Sequence, residues 1–173
     1  MFRNAQENFI HSMASYSMVS YLIQIKDRHN GNLLIDDNGH IIHIDFGFIF
    51  EISPANNLRF EKAEFKLLSD MVNVMGGTKD SDAFIYYREQ TIKAGLISKE
   101  YFDYFYDIVR LNEYSGLSCF TDDSLIKFEK RFLLDKTPFT AARAIDRIIH
   151  DSKNNLRTII YDKIQYIQNK IMH

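Results

Sequence analysis

Apolar side chains recur three and four apart at Phe9, Met13, Tyr16, Val19 and Ile23, which predicts a helix over 5–25. A polar break, "KDRHNGN", follows it. Residues 33–35 and 41–45 have β character, and "DDNG" between them signals a hairpin, with Asn38-Gly39 suited to positive φ. The stretch "GFIFEISPANNLRFEKAEF" carries Pro54 and two asparagines and reads as a long loop. Long loops in compact domains are usually functional or disordered. From Lys66 onward the pattern is helical, over about 66–75, 81–94, 99–112, 121–132, 138–151 and 153–171. Gly76-Gly77, Gly95, Gly116 and Pro138 punctuate these segments. One small hairpin among many helices predicts a mostly α domain.

Composition narrows the class. At 173 residues the chain suits one domain with a real core. Its 46% hydrophobic content excludes a disordered tail. Fourteen Phe and ten Tyr, with no Trp, suggest a packed, mainly helical body. A net charge of −2 argues against nucleic acid as a partner. One cysteine, Cys119, permits no internal disulfide and fits a reducing compartment; it is expected to be a small core residue. No apolar run reaches the roughly 18–20 residues that span a bilayer, and "MFRNAQENFIHS" lacks the features of a signal peptide. A soluble intracellular chain is expected.

The chemistry concentrates in "IKDRHNGNLLIDDNGHIIHIDFGF", residues 25–48. Taken singly, Asp, Asn and His in such a loop cap turns. An EF-hand starting at Asp36 fails, because its twelfth position is Gly47 where a bidentate Glu is needed. A zinc site fails for want of ligands beside His40 and His43, which are expected to be structural. The joint pattern is more specific. Asp27 and Asn32 lie five apart, and Asp45-Phe46-Gly47 follows the hairpin. Kinases place a catalytic-loop Asp five residues before a metal-binding Asn, and then an Asp-Phe-Gly whose Asp holds Mg²⁺. Phosphoryl transfer needs a carboxylate near the attacking hydroxyl and hard oxygen ligands for the metal.

The loop order is Asp27-Arg28-His29 rather than the His-Arg-Asp of ordinary protein kinases. Together with "NFIHSMASYSMVSYLIQIKDRHNGN", "GHIIHIDFGF", "FEISP", "FKL", "VMGG", "LSCF" and "YDKIQYIQNKI", it resembles the phosphatidylinositol 3- and 4-kinase superfamily. The similarity is greatest to the type III phosphatidylinositol 4-kinases, the alpha type especially. The resemblance implies the C-terminal lobe of a lipid-kinase, protein-kinase-like fold across residues 1–173, with the N-terminal lobe absent. It implies ATP as co-substrate with Mg²⁺ or Mn²⁺. Asp27 would be the base or orienting carboxylate for the inositol hydroxyl, and His29 would polarise that hydroxyl or stabilise the phosphoryl group. Asn32 and Asp45 would hold the metal and ATP phosphates. Arg28 would pair with a loop carboxylate or, as a weaker expectation, contact phosphate. Lys26 has no expected role beyond solvation.

The loop after Asp45 would read the lipid. Arg59, Lys62 and Lys66 are its bases, against Glu51, Glu61 and Glu64. Polyphosphorylated headgroups require clustered cations, so unphosphorylated phosphatidylinositol is the better match, phosphorylated at its 4-position. The amphipathic segment with Leu156, Ile160, Ile164, Ile167 and Ile171 either packs on the core or, as the resemblance implies, meets the membrane surface. The resemblance also implies a cytoplasmic protein peripheral to membranes, the plasma membrane in particular, with regulatory subunits. Two alternatives stand beside this reading: a lobe of a phosphatidylinositol-3-kinase-related protein kinase, and a non-catalytic remnant. Without an N-terminal lobe the chain is expected to be inactive.

Overall fold

The computed structural model describes residues 2–50, 52 and 63–153. The order of elements is helix α1 (Phe2–Ile23), strands β1 (Leu33–Ile35) and β2 (Ile41–His43), then helices α2 (Ser69–Val74), α3 (Asp82–Glu100), α4 (Phe102–Arg110), α5 (Ser124–Arg131) and α6 (Pro138–Ser152). The architecture is mostly helical with a small antiparallel hairpin. The segment expected to be helical over 153–171 lies outside the described residues, apart from Lys153.

Helix α1 is the centre of the packing. Phe9, Ile10, Met13, Ala14, Ser17, Met18, Ser20, Tyr21 and Leu22 are all buried. This face is broader than the predicted stripe, and it omits Val19, which is 43% exposed. Two serines lie inside it. The Ser17 hydroxyl meets the Tyr87 hydroxyl of α3 at 2.8 Å, so the polar groups at this contact satisfy each other.

Helix α3 passes through Gly95 rather than ending there. A Cβ at Gly95 would come within 2.5 Å of Ile145 Cδ1 on α6 and 2.9 Å of Met18 Sδ on α1. The glycine thus marks the close approach of three helices, not a stop signal. The break falls later, at Tyr101 between α3 and α4. Helix α2 also starts later than expected. Phe65 and Leu67 are buried instead, and Leu67 forms a parallel bridge with Lys153 just beyond α6. Helix α6 opens at Pro138, as its sequence predicts, and Thr137 Oγ1 caps it by accepting from the Thr140 amide at 3.3 Å.

The hairpin pairs Leu33 with His43, Leu34 with Ile42 and Ile35 with Ile41. Its turn differs from the expected one: Gly39 has φ +91°, while Asn38 stays at negative φ. The Asp36 carbonyl accepts from the Gly39 amide at 3.0 Å and the Asp36 amide donates to His40 at 3.0 Å. Residues one helical turn apart on α1 then seat it. A Cβ on Gly39 would lie 2.5 Å from the Ala5 carbonyl. Asn8 Nδ2 donates to the Asn38 carbonyl at 3.0 Å, and the Ile41 amide donates to Ser12 Oγ at 3.0 Å. Tyr16 stacks on His43 with centroids 4.1 Å apart. On the far side of the site, Phe50 packs at 5.1 Å from Phe120 and 5.8 Å from Phe128, and Phe128 meets Phe132 at 4.9 Å.

Gly39→Ala tests this seating. Backbone rather than a flexible side chain blocks the new methyl, and the φ is unfavourable, so a loss of about 1–3 kcal/mol is expected. Chemical denaturation reads it, and an unchanged midpoint would mean that the turn does not rest on α1.

Candidate active site

Between α1 and β1 the chain must turn sharply while keeping its polar groups satisfied. Asp27 sits at φ +61° and Asp45, just past β2, at φ +58°. Aspartate tolerates this left-handed region better than most residues, and such conformations cluster at functional sites. The expected strand over 41–45 therefore stops at His43, and Asp45 is exposed where the chain leaves the sheet. Its Oδ1 accepts from the Gly47 amide at 3.2 Å, which forms a short turn within Asp-Phe-Gly.

Arg28 joins these segments. It is 2% exposed. Its Nε donates to the Lys26 carbonyl at 2.9 Å, its Nη1 to the Ile44 carbonyl at 2.7 Å and its Nη2 to the Asp45 carbonyl. The guanidinium also lies 5.6 Å from the centre of the Phe46 ring. The sequence-based expectations for Arg28 were a loop carboxylate and, more weakly, phosphate; these three bonds go to backbone carbonyls.

Asn32 is buried at the end of a 3₁₀ turn, Asn30–Asn32. Its Nδ2 donates to the Asp27 carbonyl at 2.9 Å, and its carbonyl accepts from the Ile44 amide at 3.1 Å. The side-chain amide is thereby oriented with its oxygen left as an acceptor. His29 Nε2 lies 4.0 Å from Asp27 Oδ2, and both side chains are largely sheltered at 12% and 15% exposure. Asp27, His29 and Asn32 thus share the segment between α1 and β1, and Asp45 is tied to it through Arg28 and the Ile44–Asn32 hydrogen bond.

A protein cage of three or more His, Cys, Asp or Glu does not occur among the described residues. Mg²⁺ does not require one; it commonly takes one or two protein oxygens, with substrate phosphates and water completing the shell. One oriented amide oxygen and one exposed carboxylate fit that requirement.

His43 is neutral at pH 7. Burial first, then the charges of Arg28 and Lys66, push it down to about 4. It is structural, as expected from sequence, and His40 joins the hairpin turn by a 2.9 Å contact with Asp36 Oδ2. Two lysines do more than sequence suggested. Lys26 Nζ donates to the Phe50 carbonyl at 2.5 Å and to Ile52 at 3.1 Å. Lys66, expected on the lipid-reading loop, is 4% exposed and donates to Asn30 Oδ1 at 2.7 Å. The apolar neighbours of Lys66 were the available signal, since Phe65 and Leu67 flank it in the chain and are both buried. Arg59 and Lys62 lie outside the described residues.

The model of the phosphatidylinositol 3- and 4-kinase family matches residues 1–120. The chain belongs to that family. It is 44% identical over 98% of its length to a phosphatidylinositol 4-kinase of Schizosaccharomyces pombe and 42% identical over 98% to one of Saccharomyces cerevisiae. It is also 42% identical over 99% to phosphatidylinositol 4-kinase beta of Homo sapiens. It spans 9% of the length of each yeast relative and 21% of the human one.

Arg28→Lys tests the clamp. Lysine has no rigid fork to reach three diverging carbonyls. At least one bond to a charged donor should be lost, costing about 1.5–3 kcal/mol. Thermal melting should register the change, and a variant as stable as the parent would remove Arg28 from this role.

Proposed function

We propose that residues 1–173 act as the C-terminal lobe of a phosphatidylinositol 4-kinase catalytic domain of protein-kinase-like fold. The reaction is transfer of the ATP γ-phosphoryl group to the 4-hydroxyl of phosphatidylinositol. The observation that carries this reading is the fixing of Asp27, His29, Asn32 and Asp45 around one buried arginine, in a chain whose relatives are named as phosphatidylinositol 4-kinases.

Asp27 takes or orients the proton of the inositol hydroxyl. His29, beside it, polarises that hydroxyl or faces the transferring phosphoryl group. Asn32 Oδ1 and the Asp45 carboxylate hold Mg²⁺, which neutralises charge developing on the phosphates when bound. Arg28 acts through the backbone, fixing Asp45 relative to the catalytic loop. With Lys66 engaged at Asn30, Arg59 and Lys62 are the bases left for the headgroup, which suits a substrate carrying no phosphomonoester.

The outer face of the hairpin is apolar. Leu34, Ile42 and Ile44 on that face are 47%, 37% and 38% exposed, and Ile35 and Phe46 at the ends of the hairpin are 65% and 47% exposed. An N-terminal lobe packed over ATP would cover this face, so catalysis by residues 1–173 without that lobe is not expected. No helix among the described residues is long and apolar enough to cross a membrane. The proposed association with the membrane is peripheral, at the plasma membrane and with regulatory subunits. The names of the relatives favour this reading over a protein-kinase lobe.

The test is a chimera in which this chain replaces the matching segment of the S. pombe relative, assayed on phosphatidylinositol vesicles. The product expected is the 4-phosphate; a 3-phosphate, or preference for a bisphosphorylated lipid, would overturn the substrate assignment. Asp45→Asn should abolish turnover, and a rate within about tenfold of the parent would remove Asp45 as the metal ligand. Asn32→Ala should be severe but leave more residual rate, because water can replace one neutral oxygen ligand.

A further inference from the structure

We propose that Lys66 is a positioning residue of the catalytic loop, acting through Asn30, and that it is not a contact for the lipid headgroup. The inference rests on the kinase reading above and goes beyond it by assigning a residue to the alignment of the loop.

A lysine at the mouth of a lipid site normally extends its ammonium into water while its stem lies along the surface. Lys66 does the opposite. It is 4% exposed and directs Nζ to Asn30 Oδ1 at 2.7 Å. Burying an ammonium is costly unless hydrogen bonds replace its water. Asn30 is a side chain of the catalytic loop itself. It opens the 3₁₀ turn that ends at Asn32, and its carbonyl accepts from the Leu33 amide, which starts β1. A grip on Asn30 is therefore a grip on the segment that carries His29 and Asn32.

The other end of the linkage is rigid. Phe65 and Leu67, on either side, are 6% and 1% exposed. Leu67 bridges Lys153 at the end of α6, and Lys153 Nζ lies 5.4 Å from the centre of the Phe84 ring on α3. Force on the catalytic loop thus passes from Asn30 through Lys66 into the α3–α6 layer. Lys26, the residue before Asp27, donates to the Phe50 and Ile52 carbonyls. The loop is fastened on both sides of the catalytic residues.

A positioning residue and a headgroup contact differ kinetically. Misplacing reacting groups by about an ångström lowers turnover by up to about 10², whereas a lost headgroup contact raises KM for the lipid. In the S. pombe chimera, Lys66→Met and Asn30→Ala should each lower kcat about tenfold or more. KM for phosphatidylinositol should stay within about twofold. The double variant should be no worse than the poorer single variant, because both remove one linkage. Lys66→Arg, which keeps a donor of similar length, should recover part of the loss.

Melting temperatures, taken on each variant, separate misalignment from unfolding, and kcat is scaled to the folded fraction. A raised KM with kcat intact would make Lys66 a headgroup contact and overturn the proposal. So would additive effects of the two substitutions, or a kcat that returns to the parental value once scaled. A parent chimera that makes no 4-phosphate would instead defeat the kinase reading itself.

Discussion

The site depends on the burial of one guanidinium. Arg28 carries its charge into a place that is 2% exposed and meets backbone carbonyls from two separate segments there. The requirement runs both ways. The charge needs acceptors that water no longer provides, and the carbonyls of Lys26, Ile44 and Asp45 need donors at a point where the sheet has ended. Meeting both needs at once fixes the end of β2 against the loop after α1. Asp27 and Asp45 can then occupy left-handed backbone without relaxing, because their neighbours on both sides are bonded in place.

Helix α1 supplies the frame for that clamp. Its positions 5, 8, 12 and 16 meet the hairpin one after another, while 9, 10, 13 and 17 face the helical core. The helix therefore sets the height of the hairpin, and the hairpin sets the height of Asp45. Phe50 performs the matching function after Asp-Phe-Gly. It sits among the rings of Phe120 and Phe128, which ties the exit of the site to α5.

What was legible in the sequence was local. The approximate span of α1, the position of the hairpin, the start of α6 at Pro138 and the spacing of Asp27, Asn32 and Asp45 all follow from patterns a few residues long. The misreadings were long-range. Gly95 looked like a stop signal because its real constraint, the approach of Ile145 and Met18, comes from other helices. Ser17 and Ser20, two of the nine buried residues of α1, were not legible because polarity predicts exposure, whereas Ser17 has Tyr87 to bond. Lys26 and Lys66 were assigned to solvent and lipid by charge alone. Their acceptors lie 24 to 36 residues away, where periodicity carries no information. The partners of Arg28 were missed for a different reason: backbone carbonyls have no residue type to read.

The choice of amides in the catalytic loop follows from the same electrostatics. Two cations, Arg28 and Lys66, are buried beneath the loop, and His43 between them is held neutral. A protonated imidazole there would add a third positive charge with little solvent to shield it, which is why burial and the two neighbours act in one direction. A carboxylate at position 30 would serve Lys66 equally well as an acceptor but would place a negative charge on the loop. Asn30 accepts the hydrogen bond without adding a charge of its own. Asn32, a metal ligand in the proposed reaction, likewise adds no negative charge. In the proposed reaction, amides at positions 30 and 32 add no negative charge where phosphate would bind, and the carboxylates are left to Asp27 and Asp45.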